Sequence, residues 1–180
     1  TRLWDIYHLG SFTSLLHLHH HFPLENHPRA SSDKKAKIDN NIVEYIGEVS
    51  LEEKIQYLKN ARCLLAPIKW EEPFGLNFTE ALASGIPVVA FARGSIPELI
   101  EDGKTGYIVN QSEEYVRGNW TIKKTYLDGL TEAVQKIFSM PISQYQQMKK
   151  TCREEAEKRF SINEMAKRYE IEYRKLSVHK

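Results

Sequence analysis

Two glutamates eight positions apart, Glu72 and Glu80, bracket the stretch of this chain best equipped for chemistry. It reads Trp70-Glu71-Glu72-Pro73-Phe74-Gly75-Leu76-Asn77-Phe78-Thr79-Glu80. Glu72 is expected in the loop after a buried strand, and Glu80 just over one turn into the helix that follows. Pro73 stiffens that loop, and Gly75 lets a ligand come close to the backbone. The first N–H groups of a helix have no partner within it, so those of Gly75, Leu76 and Asn77 would face a cleft. Together with the helix dipole they form a seat for a diphosphate. A carboxylate one turn further on, Glu80, could accept hydrogen bonds from vicinal ribose hydroxyls without crowding the phosphates. The bland alternative is that both glutamates are ordinary acids at a helix start, stabilising its dipole and nothing more.

The elements that would position these residues follow from the apolar pattern. Ile42–Ile46 is β-rich and ends at Gly47. Ser50 and the acids after it suit a helix start, and the helix runs to about Lys59 with Leu51, Ile55 and Leu58 on one face. Cys63–Ile68 is a continuous apolar run, as a strand covered on both faces requires. A helix from Leu76 to Ser84 stops at Gly85. Strands are expected at Ile86–Phe91 and Thr105–Val109, with a short helix between them capped by Ser95 and carrying Pro97 in its first turn. Residues 110–124 read as a loop. Three helices follow, at about Tyr126–Ser139, Ile142–Phe160 and Ile162–Leu176, the last with Met165, Tyr169, Tyr173 and Leu176 as a docking stripe. Strands alternating with helices predict an α/β fold: one Rossmann-like, doubly wound parallel sheet with extra C-terminal helices. The carboxyl ends of such strands, where Glu72 and Glu80 fall, are where these sheets bind ligands.

Composition narrows the function classes. The 180 residues hold 25 basic and 24 acidic side chains, so no net field marks a nucleic-acid or anionic-membrane partner. The two cysteines, Cys63 and Cys152, have neither metal nor redox spacing. No run reaches the ~18 apolar residues of a membrane helix, and no signal peptide is visible. Sequons occur at Asn77, Asn110 and Asn119. A glycan on Asn77 would block the cleft, so the expected location is cytoplasmic. Residues 1–31 do not share the alternation. They carry His17, His19, His20, His21 and His27 without a carboxylate or Cys cluster to complete a metal site, so no metal ligands are assigned. This segment is expected to be peripheral to the sheet, disordered or non-native, with residues 32–180 forming the domain.

Several phrases in order resemble a known family. They are Tyr45-Ile46-Gly47-Glu48-Val49-Ser50, then Glu72-Pro73-Phe74-Gly75-Leu76, then Glu80-Ala81-Leu82-Ala83-Ser84-Gly85-Ile86-Pro87-Val88-Val89-Ala90. Arg93-Gly94-Ser95-Ile96-Pro97-Glu98 and Asp102-Gly103-Lys104-Thr105-Gly106-Tyr107 complete the set. From about Asp33 to Val109 the chain is similar to the C-terminal, donor-binding domain of retaining GT-B glycosyltransferases of the group 1, family 4 type. That group includes mannosyl- and glucosyltransferases of bacterial surface polysaccharides.

The resemblance implies roles residue by residue. Glu72 matches the first Glu of the family's E-x7-E, which contacts donor-sugar hydroxyls, and is the candidate catalytic residue. Phe74, Gly75, Leu76 and Asn77 fall where the backbone lines sugar and diphosphate. Glu80 matches the second Glu, which binds the ribose, and Glu48 and Val49 match the loop that reads the base. The implied reaction is retaining transfer of a hexose from a nucleotide sugar, such as a UDP- or GDP-hexose, with no metal or other cofactor required. The glycan or lipid acceptor would be held by an N-terminal domain outside this chain. The family's domain opens on a strand and a Gly-rich turn with an Arg and a Lys for the leaving diphosphate. Residues 1–31 show no such pattern, so the chain alone is expected to be an incomplete enzyme. The alternative function is a truncated, non-catalytic nucleotide-binding or interaction module. Competing motifs fail: Gly103-Lys104-Thr105 opens a strand where a P-loop would open a helix, and no G-x-G-x-x-G, Asp-x-Asp or G-x-S-x-G occurs.

Overall fold

The computed structural model describes residues 49–177 together with three strand segments, 5–8, 15–17 and 44–47. Six strands form one sheet: β1 (Asp5–His8), β2 (Leu15–His17), β3 (Glu44–Gly47), β4 (Cys63–Ala66), β5 (Val88–Phe91) and β6 (Gly106–Val109). Their spatial order is β3-β2-β1-β4-β5-β6. Parallel pairing links β1 to β4, β4 to β5 and β5 to β6, as alternation of strands with helices requires.

One expectation is corrected here, and the parallel sheet carries an antiparallel edge. Residues 1–31 were expected to lie apart from the sheet, yet β1 sits inside it and aligns Ile6 with Leu64 of β4. β1 and β2 also pair antiparallel, as do β2 and β3, so the sheet is not parallel throughout. The reason is chain length. Only six residues separate β1 from β2, whereas a parallel neighbour needs a crossover of a dozen or more. Of the histidine cluster, His17 falls in β2, and His19, His20, His21 and His27 lie outside the described residues.

The helices are α1 (Leu51–Asn60), α2 (Leu76–Ala83), α3 (Ile96–Leu99), α4 (Tyr126–Phe138), α5 (Ile142–Phe160) and α6 (Ile162–Ser177). α1 starts with a full capping box, Ser50 and Glu53 each accepting from the other's backbone N–H. Only Leu58 of its expected apolar face is buried; Leu51 and Ile55 are exposed. α2 ends at Ser84 and Gly85, the latter in the left-handed conformation that suits the residue after a helix. Ser95 precedes α3 without capping it, because its hydroxyl donates to the Phe74 carbonyl instead.

All residues of β4, β5 and β6 are buried, so the central sheet is covered on both faces. α2 packs on α5 and β5, while α4 packs on β4, β5 and β6. Leu82, Ile86, Val88, Val89, Phe91, Ile108 and Ile137 form the fully buried centre. Cys63 and Cys152 are both buried free thiols, and burial pushes the Cys152 thiol up to about 12. They act as small hydrophobes in the core. α6 packs on α5 and leaves Met165, Tyr169, Tyr173 and Leu176 exposed. No helix among the described residues is long and apolar enough to cross a membrane.

Candidate functional site

Because β4, β5 and β6 are parallel neighbours, the loops that leave their carboxyl ends must lie side by side. These are residues 67–75, 92–95 and 110–125. They meet on Glu71, a residue that motif reading passed over in favour of its neighbour. The Glu71 carboxylate accepts from the Tyr115 hydroxyl at 2.6 Å, Arg93 Nη1 at 2.8 Å, Arg117 Nη1 at 2.9 Å and the Gly94 N–H at 2.5 Å. The Tyr115 hydroxyl, then the Arg93 guanidinium and the Gly94 N–H, hold its pKa down at about 2. Arg93 also stacks over the Tyr115 ring at 3.7 Å and donates through Nε to Gln111. One signal was present in the chain: Arg93-Gly94 and Glu71 each follow a buried strand of the same sheet.

The second loop also holds Glu72, through its main chain. The Ser95 N–H donates to the Glu72 carbonyl at 2.8 Å. Gly94 lies so close that a Cβ there would sit 2.2 Å from that carbonyl oxygen, and its φ of 49° is left-handed. Glycine is therefore required for the two loops to touch. The Glu72 side chain remains half-buried and, among the described residues, accepts only from Trp70 Nε1 at 3.1 Å.

Gly75 is the N-cap of α2, with φ 82° and ψ 66°. Its glycine is explained by its own surroundings rather than by a ligand: a Cβ would lie 2.4 Å from the Phe78 ring. The Gly75 carbonyl accepts from Phe78 and Thr79, closing the first turn. The N–H groups of Gly75, Leu76 and Asn77 donate to no protein group within the described residues, as expected of an open helix start. Phe74 and Leu76 are exposed beside them.

Glu80 is not an unpartnered acid. Lys54 of α1 reaches both of its oxygens, at 2.8 and 2.9 Å, across 26 residues of sequence. Lys54 was absent from the expected site, since one lysine on an amphipathic helix carries no motif. Val49 immediately precedes the Ser50 cap of α1, and Glu48 lies outside the described residues.

A cleft of about 470 Å³ opens along this edge, lined by Glu71, Glu72, Pro73, Phe74, Gly94 and Ser95 and floored by Glu98, Leu99, Arg159 and Phe160. Phe160 meets Phe74 edge-on at 6.2 Å, and Arg159 donates to the Glu98 and Leu99 carbonyls. The structure thus brings Glu72 and Phe74 into the cleft wall. Leu76, Asn77 and Glu80 are carried by α2 and do not line the cleft. Among the described residues no group of three or more His, Cys, Asp or Glu side chains could hold a metal ion.

Comparison with known proteins identifies the family and the fold. Residues 29–159 match the family described as glycosyl transferases group 1. An uncharacterised 41.2 kDa protein in the cps region of Klebsiella pneumoniae is 32% identical over 133 residues, 74% of this chain and 32% of that protein. A D-inositol 3-phosphate glycosyltransferase of Streptomyces scabiei is 35% identical over 69 residues, 38% of this chain and 15% of that protein. Among solved structures, the sucrose-phosphate synthase of Thermosynechococcus elongatus superposes with a TM-score of 0.59 at 26% identity, covering 75% of this chain and 30% of that one. The chain spans about a third or less of the length of these relatives.

Proposed function

This chain belongs to the glycosyl transferases group 1 family, and we propose that it is the donor-binding domain of a retaining hexosyltransferase that draws on a nucleotide sugar. One observation carries the reading. The three open N–H groups at the start of α2 lie between Glu72 and Glu80, two carboxylates on one loop–helix unit. An anion is favoured at the helix start, and sugar hydroxyls are favoured on either side of it. Relatives named as sucrose-phosphate synthase and D-inositol 3-phosphate glycosyltransferase support a sugar as the group moved.

In this reading Gly75, Leu76 and Asn77 receive the diphosphate of a UDP- or GDP-hexose. Glu80 takes the ribose, Val49 and Glu48 take the base, and Glu72 and the Phe74 backbone hold the hexose. The bond from the anomeric carbon to phosphate breaks with oxocarbenium character. An acceptor hydroxyl then attacks from the face that the diphosphate leaves, and its proton passes to the departing diphosphate. Helix N–H groups aimed at the departing charge supply the main stabilisation, with no metal needed. The acceptor, a glycan or lipid in polysaccharide synthesis at the cytoplasmic side, is held by another domain. Residues from about 32 onward form the donor domain, completed by the strand β1.

Paired substitutions test the division of roles. Glu80→Ala should weaken a free nucleoside diphosphate by about 1.5–3 kcal/mol, the range for hydrogen bonds to a charged group. Glu72→Ala should leave that ligand nearly unchanged and weaken only its sugar conjugate. Calorimetric titration of both variants with UDP, GDP and their hexose conjugates reads this directly. Equal losses for both variants on both ligands would overturn the assignment.

A further inference from the structure

We propose that Phe160, the last residue of α5, is a positioning residue that, with Arg159 beside it, sets the direction of the Phe74–Gly75 peptide at the start of α2. Its consequence for a ligand rests on the donor-site reading above, while its geometry does not. The Phe160 ring meets the Phe74 ring edge-on, at 6.2 Å and an interplanar angle of 86°, within the range where aromatic pairs attract. The Phe74 carbonyl is held separately, accepting from the Ser95 hydroxyl at 2.9 Å. A trans peptide is planar, and its N–H points opposite to its C=O. Holding the carbonyl toward Ser95 therefore turns the Gly75 N–H away from Ser95. That N–H is one of the three that donate to no protein group within the described residues.

Arg159 acts on the same peptide by a longer route. Its guanidinium donates to the Glu98 and Leu99 carbonyls, and the N–H groups of those two residues both donate to the Ser95 carbonyl. The single turn of α3 thus links the guanidinium to the serine that holds Phe74. Two consecutive residues grip one peptide, one through a ring and the other through α3. α5 can serve as the support because it is anchored elsewhere: Tyr145, Met148, Cys152 and Ala156 are buried along it, and it packs on α2. Phe74, by contrast, is exposed in a loop. Without the Phe160 ring it would sample other rotamers, and ordering the loop around a ligand would cost affinity.

The test uses the full chain and reads the NMR order parameter of the Gly75 amide before any ligand is added, then affinity for UDP or GDP. Phe160→Ala should lower the order parameter and weaken the nucleotide by about twofold to tenfold, the contribution of one aromatic pair. Phe160→Tyr, which keeps the ring, should restore both readings. Met148→Ala removes a buried side chain of the same helix that does not line the cleft. It should lower the melting temperature yet leave the Gly75 amide and the affinity unchanged. Equal effects of Phe160→Ala and Met148→Ala on amide and affinity would overturn the proposal, because Phe160 would then serve only the packing of α5. An unchanged Gly75 order parameter in Phe160→Ala would also overturn it. If the unaltered chain binds no nucleoside diphosphate while Phe160→Ala still loosens the Gly75 amide, the donor-site reading fails and the positioning of this peptide stands.

Discussion

Two adjacent carboxylates, Glu71 and Glu72, occupy the same loop and meet opposite fates. Glu71 is saturated: four donors from two other loops converge on it. Among the described residues, Glu72 is clamped through its backbone, and its side chain accepts from a single indole N–H. The first is consumed in holding the cleft wall together, and the second keeps acceptor capacity for something else. α2 repeats the contrast, since its carbonyl at Gly75 is bonded while its first N–H groups are open. A site of this kind sets its scaffold with one group of polar atoms and leaves the neighbouring group unsatisfied. Proximity to the motif therefore says little about which acid serves a ligand.

The strongest way to break the contrast is to remove the contact that both acids share. Gly94→Ala places a methyl group against the Glu72 carbonyl in a left-handed backbone. The expected loss is about 1–3 kcal/mol from the strained backbone alone, measured by urea unfolding. Ligand binding should fall as well, because the Glu72 loop must retreat. Unchanged stability would mean that the two loops do not touch in solution.

A milder change separates clamp from site. Glu71→Gln keeps the shape but gives up the charge that Arg93 and Arg117 face. Backbone amide exchange at residues 93–95 and 110–117 should quicken, with the melting temperature moved by only about two degrees. Nucleotide affinity should change less than in Glu80→Ala. If Glu71→Gln abolishes nucleotide binding while leaving exchange alone, the roles of the two acids are reversed.

The smallest effect is the acid titration of the same clamp. The folded-state pKa of Glu71 is depressed from 4.5 to about 2. Its contribution to stability is therefore fully present above about pH 4.5 and is lost as the pH falls toward 2. Because the Gly94 N–H donates to this carboxylate, its amide chemical shift should titrate with a midpoint near 2. A midpoint near 4.5 would show that the cluster does not form.

Most of the central sheet was legible in the sequence, because short unbroken apolar runs such as Cys63–Ala66 and Val88–Phe91, alternating with helical stretches, suit strands buried on both faces. Helix bounds were legible where caps are local: the Ser50 cap and Gly85 both fall where expected. The Glu72-to-Glu80 phrase was legible for the same reason, being one loop and one helix start in succession. Local signals failed at Ser95, whose hydroxyl was claimed by Phe74 from another loop.

By itself, then, the sequence determined the alternation of elements and placed the E-x7-E unit at the carboxyl edge of a sheet. Those features depend on neighbours within a few residues, and periodicity and capping record them directly. Only the tertiary structure decided that Asp5–His8 joins β4, that Glu71 gathers Arg93, Gly94, Tyr115 and Arg117, and that Lys54 holds Glu80. Each of these links residues more than twenty positions apart. Such contacts form when strands line up side by side and bring separate loops together, and no short-range pattern encodes them.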